Sequence, residues 1–269
     1  MLPLDYGYYH VRELKEAKVK SVAFVKKGDK FYAHVVIEKS KPQIQPEKIL
    51  AIDLGVRRKA TAVLLSPSLT FTKKDIFIFR EGKRLALIHK AEQYYSKMQS
   101  LGKWRVLKRV RNLRKRYKEE YDHIISRRIV EIAEKHKAMV VVGYPKYCRS
   151  KHRKGNGNKR LRKIVNSWSF YRIIQMIKYK CEERGIPYLI IKESWTSKTC
   201  HKCGSRNTKR PYQSLFKCLD CGLEYNADIN SAINIGIRAS SLMPIGRCEP
   251  AVTNNDRAEE ALEVRSSPL

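Results

Sequence analysis

The chain has 269 residues, with 57 Lys and Arg against 26 Asp and Glu and a formal net charge of +31. That length suits one large domain with a small satellite, and no apolar run approaches the roughly 18 residues needed to span a bilayer. Self-repulsion on this scale disfavours a compact state unless a polyanion neutralises it, so DNA or RNA, whose counterions are released on binding, is the expected partner ahead of an acidic protein or a membrane surface.

The first residues, Met1 to Tyr6, lack the basic-then-apolar order of a signal peptide. Val22–Val25 and Phe31–Ile37 flank Lys27-Gly28-Asp29 and predict a β-hairpin. After a polar linker, Ile49-Leu50-Ala51-Ile52 reads as a buried strand, and Ala60–Leu65 and Ile76–Phe79 as two more. Residues 83–137 change to helical spacing and predict two long helices broken near Gly102. Met139–Val142 is another buried strand. Residues 149–163 hold eight Lys or Arg, no acid and two glycines, the pattern of a mobile basic loop. A helix over 166–184 ends at Gly185, and Tyr188–Ile191 is the last strand of this series. A cysteine module occupies 196–225 and a helix starts near Asp228. From Cys248 on, five acids and two Arg reverse the sign of the charge and predict disorder. Three strands followed by alternating helix and strand predict an α/β fold, a mixed sheet covered by helices. The expected division is a hairpin region at 1–47, a core at 48–195, the cysteine module at 196–225, a last core helix at 226–240 and a tail at 241–269.

Seven cysteines include two CxxC pairs, Cys200/Cys203 and Cys218/Cys221, fourteen residues apart and each followed by a glycine. Such turns point two thiolates at one ion, and two turns close a tetrahedral zinc site. Four protein ligands leave no open position, so the expected Zn²⁺ is structural, and His201 is expected not to be a ligand. An odd cysteine total with this pairing fits a reducing, cytoplasmic location better than a disulfide framework.

Asp53 ends a buried strand, where a carboxylate can bind a metal ion at the sheet edge or merely cap a turn. Asp228 shares a helix face with Ala232 and Ile235. It can join a metal site with Asp53 or act as the helix N-cap, and local physics leaves the two readings even.

Ile52-Asp53-Leu54-Gly55, Thr196-Ser197-Lys198-Thr199-Cys200-x-x-Cys203-Gly204, Cys218-x-x-Cys221-Gly222 and Asn226-Ala227-Asp228-Ile229-Asn230-Ser231-Ala232 together resemble the TnpB (OrfB-type) proteins of insertion sequences. These resemble the type V CRISPR effectors in their RuvC-like half. The resemblance runs from about residue 20 to 240. It implies an RNase H-like (RuvC-like) fold, cleavage of DNA directed by a transposon-derived guide RNA, and three acids holding two Mg²⁺ (or Mn²⁺) ions. Asp53 matches the first acid and Asp228 the third. The family usually places a Glu right after the fourth strand, but here Val142 is followed by Gly143-Tyr144-Pro145. Either the nuclease is dead, or the acid has moved. Glu193, just past Ile191, is the favoured replacement, ahead of Glu182 and Glu183. The family's longer N-terminal half is represented by its last hairpin alone, which suggests a truncated or decayed copy.

Residues 103–128 carry eleven Lys or Arg with Trp104, Tyr117 and Tyr121 interleaved. Lys103, Arg105, Lys108, Arg109, Arg111, Arg114, Lys115 and Arg116, with Arg149, Lys151, Arg153 and Lys154 of the loop, are the candidate phosphate contacts. Any single aromatic there reads as core. Three functions compete. They are a metal-dependent endonuclease, a non-cleaving DNA or RNA binder such as a repressor, and a transposase joining DNA ends. The last has little support, because no Ser or Tyr sits in a recognisable recombinase motif.

Overall fold

The computed structural model describes residues 5–15, 17–40, 43–55, 58–80, 82–144, 170–212 and 214–242. The chain divides between Pro42 and Gln43 into two compact units.

In the first unit, helix α1 (Tyr8–Lys15) precedes the hairpin of β1 (Lys18–Lys27) and β2 (Lys30–Glu38). Lys27 pairs with Lys30, so the turn has two residues, and Gly28 supplies the positive φ, +64°, that such a turn demands. Nearly every residue of both strands is exposed, including Phe24 and Phe31. A Lys39–Glu13 ion pair at 2.6 Å ties the hairpin's end to α1.

The second unit is built on a five-stranded mixed sheet in the order β5-β4-β3-β6-β7. Its strands are β3 (Lys48–Asp53), β4 (Ala60–Leu65), β5 (Ile76–Phe79), β6 (Ala138–Tyr144) and β7 (Tyr188–Lys192). β3, β4 and β5 run antiparallel in turn, while β6 is parallel to β3 and β7 to β6. β3, β4 and β6 are almost wholly buried, as their unbroken apolar runs predict. Strand alternation divides their side chains between two cores. Leu50, Ile52, Ala62, Leu64, Val140 and Val142 face one core. There they meet α2 (Gly82–Ser100), α3 (Trp104–Lys135) and α4 (Phe170–Glu183) through residues such as Ile88, Ile125, Ile129 and Ile173. Ile49, Ala51, Val63, Leu65, Met139 and Val141 face the other, covered by Ala232, Ile233, Ile235 and Ala239 of α5 (Ala227–Leu242). At Gly236 a Cβ would run into the Leu65 side chain and stand 3.1 Å from the Ala51 Cβ, so glycine is what lets α5 lie this close to β3 and β4.

α2 and α3 part at Gly102, at φ +64°, as expected. The helix expected over 166–184 is seen as Phe170–Glu183 and stops at Gly185, also at φ +64°. Residues 166–169, the basic loop 149–163 and the tail from residue 243 lie outside the described residues. Under the first core the fully buried Asp122 of α3 meets Lys59 at 2.5 Å and Arg172 of α4 at 2.7 Å. Among the described residues no helix is long and apolar enough to cross a membrane.

Candidate active site and metal centre

Because β3, β6 and β7 are parallel, their C-terminal ends share one edge of the sheet. Side chains alternate along each strand, so Asp53 points to the same side as Ile49 and Ala51, the side that α5 covers. Gly143 follows Met139 and Val141 on that side, and Glu193 follows Ile191. The two acids and the glycine are thus brought to one face at one edge by strand parity alone.

Glu193 leans over β6. A Cβ at Gly143 would lie 2.5 Å from the Glu193 Oε1 and 2.6 Å from its Cγ. The missing side chain on β6 is therefore the space that the Glu193 carboxylate fills. Oε1 is buried with no hydrogen-bond partner. The backbone around it is pinned: Thr196 donates to the Glu193 carbonyl through its N–H (3.3 Å) and its hydroxyl (3.1 Å). Arg238 donates to the carbonyls of Lys192 and Ser194 at 2.6 and 2.7 Å. Burial pushes Glu193 up to about 9, and the neighbouring Asp53 charge adds to the rise. Asp53 is pushed up to about 7, chiefly by burial. A hydrogen bond from the Ser231 hydroxyl (3.0 Å) opposes that rise, the Asp228 charge adds to it, and Arg210 opposes it.

Asp228 opens α5 but is not its cap. Asn226 Oδ1 accepts the N–H groups of Asp228 (3.0 Å) and Ile229 (3.3 Å), so the N-cap alternative for Asp228 falls to its neighbour. Its side chain is partly exposed and stands 3.4 Å from Arg58, which also donates to Asn226 Oδ1 at 3.1 Å. Glu182 accepts a hydrogen bond from the Tyr188 hydroxyl at 3.0 Å, at the start of β7 and so at the opposite end of that strand from Glu193. Glu183 is exposed on α4. Neither shares the edge with Asp53.

Burial holds the Asp53 and Glu193 carboxyls above their ordinary range, and Glu193 Oε1 has no hydrogen-bond partner, so this pair fits the oxygen-donor chemistry of a hard divalent cation. Asp228 acts on Asp53 through its charge but is paired with Arg58, and among the described residues the four cysteines, not the three acids, come close enough together to hold one ion as a group.

The zinc module folds as β8 (Thr208–Tyr212), β9 (Leu215–Cys218) and β10 (Glu224–Asn226), three antiparallel strands that the cysteine spacing alone did not reveal. The sulfurs of Cys200, Cys203, Cys218 and Cys221 all lie within 4.8 Å of one another. Cys200–Cys221 and Cys203–Cys218 are each separated by 3.6 Å, against about 3.8 Å expected around a tetrahedral ion with Zn–S bonds of ~2.3 Å. The four could bind zinc. Gly204 and Gly222 follow the pairs at φ +72° and +70° and turn the chain back. His201 is engaged elsewhere, with Nδ1 2.9 Å from Asn230 Oδ1.

Three asparagines spaced by four residues lace the module to α5, and their role was missed in the sequence. Asn226 caps the helix. Asn230 donates to the Thr199 carbonyl (2.8 Å), and Asn234 to the carbonyls of Thr196 (2.9 Å) and Thr199 (2.7 Å). The signal was available, since asparagine is a poor helix former and its recurrence on one face needs a reason. Ser231 and Arg58 carried no such signal.

Lys103, just before α3, and Arg105, Lys108, Arg109, Arg111, Lys115 and Arg116 on it are exposed. The Arg114 side chain lies outside the described residues, as do Arg149, Lys151, Arg153 and Lys154. Tyr121 is core and Tyr117 packs against it, whereas Trp104 is 73 % exposed, contrary to the expectation that each aromatic here is core. It precedes the buried stripe that begins at Leu107.

The family model described as the Cas12f1-like TNB domain matches residues 170–235, from α4 through the cysteines into α5. A TnpB-like protein of Aquifex aeolicus is 28% identical over 237 residues, covering 80% of this chain and 76% of that protein. The chain is related to the TnpB family. A relative named as a CRISPR-associated endodeoxyribonuclease, Cas12f1 of Sulfoacidibacillus thermotolerans, is 30% identical over 212 residues, covering 71% of this chain and 45% of the relative. The chain thus spans less than half the length of that curated relative. Among solved structures, a Cas12f1–sgRNA–target DNA complex matches with a TM-score of 0.55 at 20% identity, over 78% of this chain and 54% of the other. That likeness shows a shared α/β fold with a mixed sheet. The TnpB resemblance read from Asp53, the two CxxC pairs and the Asn226–Ala232 run is supported by these matches.

Proposed function

We propose that this chain carries the catalytic core of a metal-dependent DNA endonuclease of the TnpB kind, RNase H-like (RuvC-like) in fold and directed by a transposon-derived RNA. Asp53, Glu193 and Asp228 are its acids. The observation that carries the reading is the Glu193 carboxylate, buried without a partner above Gly143 and electrostatically coupled to Asp53. A dead remnant has no reason to keep two buried acids in mutual repulsion. The strand order, three antiparallel strands followed by two parallel ones with acids at one edge, supports the RNase H-like assignment. The relatives' names support DNA as substrate and RNA as guide.

In this reading Asp53, Glu193 and Asp228 hold Mg²⁺ or Mn²⁺, which would supply Lewis acidity and a water of lowered pKa at the scissile phosphate. Ser231 orients Asp53, and Asn226 fixes the first turn of α5 and with it Asp228. Cys200, Cys203, Cys218 and Cys221 would hold a zinc ion that fixes the module's two turns, while Asn230 and Asn234 hold the module against α5. The exposed cations of α3 and those of the 149–163 loop take backbone phosphates, as the net charge of +31 suggests. A cytoplasmic location suits these partners.

The test is cleavage of a target plasmid by the chain expressed with RNA from its own locus, with Mg²⁺ or Mn²⁺. Cutting lost in both Asp53→Ala and Glu193→Ala supports the assignment. Cutting that survives Glu193→Ala removes that acid from the site. RNA binding with no cutting under either metal supports the alternative, a nuclease-dead binder or repressor of the same descent.

A further inference from the structure

Trp195 stands two residues beyond Glu193, and its backbone is in the left-handed region, at φ +68°. Glycine and asparagine take that conformation readily, but a bulky side chain seldom does. It is imposed by a tight turn in which the Trp195 carbonyl accepts three hydrogen bonds, from Lys198 N (2.9 Å), Thr199 N (3.0 Å) and the Thr199 hydroxyl (3.0 Å). The indole gains little burial in return, being 53 % exposed. Two cations stand at its ring, the Arg206 guanidinium at 5.1 Å and the Lys198 ammonium at 5.4 Å from the centroid. Arg206 belongs to the zinc module, whose Arg210 acts electrostatically on Asp53. A strained backbone that presents an exposed aromatic, flanked by cations, beside an acidic site has no use in packing.

We infer that Trp195 is a stacking platform for an unpaired base of the DNA strand entering the acidic site, with Lys198 and Arg206 taking the phosphates on either side. Aromatic faces stack on any base, while neighbouring cations track the backbone. Paired bases do not offer a face, so the platform selects single-stranded over duplex DNA next to the acids. The inference deepens the nuclease reading and rests on it for the identity of the strand.

The experiment measures binding of a short fluorescent single-stranded DNA, and of the same strand in duplex, to the zinc-loaded full chain by anisotropy across a salt series. Trp195→Gly suits the left-handed backbone, so it should fold with an unchanged or higher melting temperature. It is expected to weaken single-strand binding about tenfold, with little change in the salt slope or in duplex binding. Trp195→Phe should retain binding within about threefold. Equal weakening of both DNA forms, no weakening in Trp195→Gly, or a Trp195→Phe variant as weak as Trp195→Gly would overturn the inference. Cleavage is not read, so an inactive nuclease leaves this test intact. A nuclease that needs Asp53 but binds DNA normally without the indole sinks the Trp195 inference alone.

Discussion

The Glu193 carboxylate occupies the place where a side chain at Gly143 would stand, with Oε1 2.5 Å from a Cβ built on that glycine. An acid delivered by β7 and a side chain on β6 are therefore mutually exclusive. Gly143→Ala must push aside Glu193 and the Ile235 methyl, 2.6 Å away, and is expected to destabilise by about 1–3 kcal/mol, measured by urea unfolding, and to abolish cleavage. The exchange Gly143→Glu with Glu193→Ala puts the acid on β6, where the resemblance to TnpB predicts it. It is expected to cut better than either single variant.

Glu193 and Asp53 titrate well above ordinary carboxylates because burial favours their neutral forms. The folded, metal-free chain therefore binds more protons than the unfolded chain from about pH 4.5 up to about 9 for Glu193, and from about 4 up to about 7 for Asp53. The contribution of these two groups to stability is greatest below that window and falls as pH rises through it. Glu193→Gln removes the larger share, so it should melt higher than wild type at pH 8 without added divalent cations, by thermal scan. Mn²⁺ should raise the melting temperature of wild type at pH 8 and fail to raise that of Glu193→Gln.

Zinc in the four-cysteine site is expected to contribute on the order of 10 kcal/mol to folding of the module, whose core is little more than Phe216, Ala227 and the cysteines. Cys218→Ala should bind less than one zinc per chain by atomic absorption and melt β8–β10. Because Asn230 and Asn234 bond the Thr196 and Thr199 carbonyls, the loss should reach Glu193 and remove cleavage without unfolding the five-stranded sheet.

Asp122 is fully buried, with Lys59, itself 7 % exposed, and Arg172 as its countercharges. Removing the acid strands a buried ammonium. Asp122→Leu is expected to cost about 3–5 kcal/mol by chemical denaturation, and the pair Asp122→Leu with Lys59→Met to recover much of it. Full loss in the double variant would mean that the cluster does more than pair charges.

The parts of this molecule written in long patterns were legible in the sequence. Unbroken apolar runs marked β3, β4 and β6. Gly102 and Gly185 marked helix ends, and cysteine spacing marked the metal site. What escaped depends on tertiary packing. The sequence already favours Glu193 over Glu182, but the space that Gly143 leaves for its carboxylate exists only once β7 pairs in parallel with β6. Asp228 looked as good a cap as a ligand because the competing cap, Asn226, sits only two residues away. The Lys59–Asp122–Arg172 cluster joins residues up to 113 positions apart, from 59 to 172, and no local pattern encodes it.

The cations of α3 offer the test of what the charge is for. Lys108, Arg109, Arg111 and Lys115 are exposed on the helix whose other side, through Leu107 and Val110, is buried. None of the four is needed for that packing, so replacing them with Gln should leave the unfolding midpoint nearly unchanged. If they neutralise phosphates, each cation removed means one fewer counterion released on binding, and the slope of log affinity against log salt becomes shallower by about 0.9. The fourfold variant should therefore bind more weakly at low salt, lose that deficit as salt rises, and do so alike on unrelated DNA sequences. A deficit confined to one sequence would make these residues base readers. An unchanged slope would leave the 149–163 loop and the other surfaces to account for the binding that a charge of +31 implies.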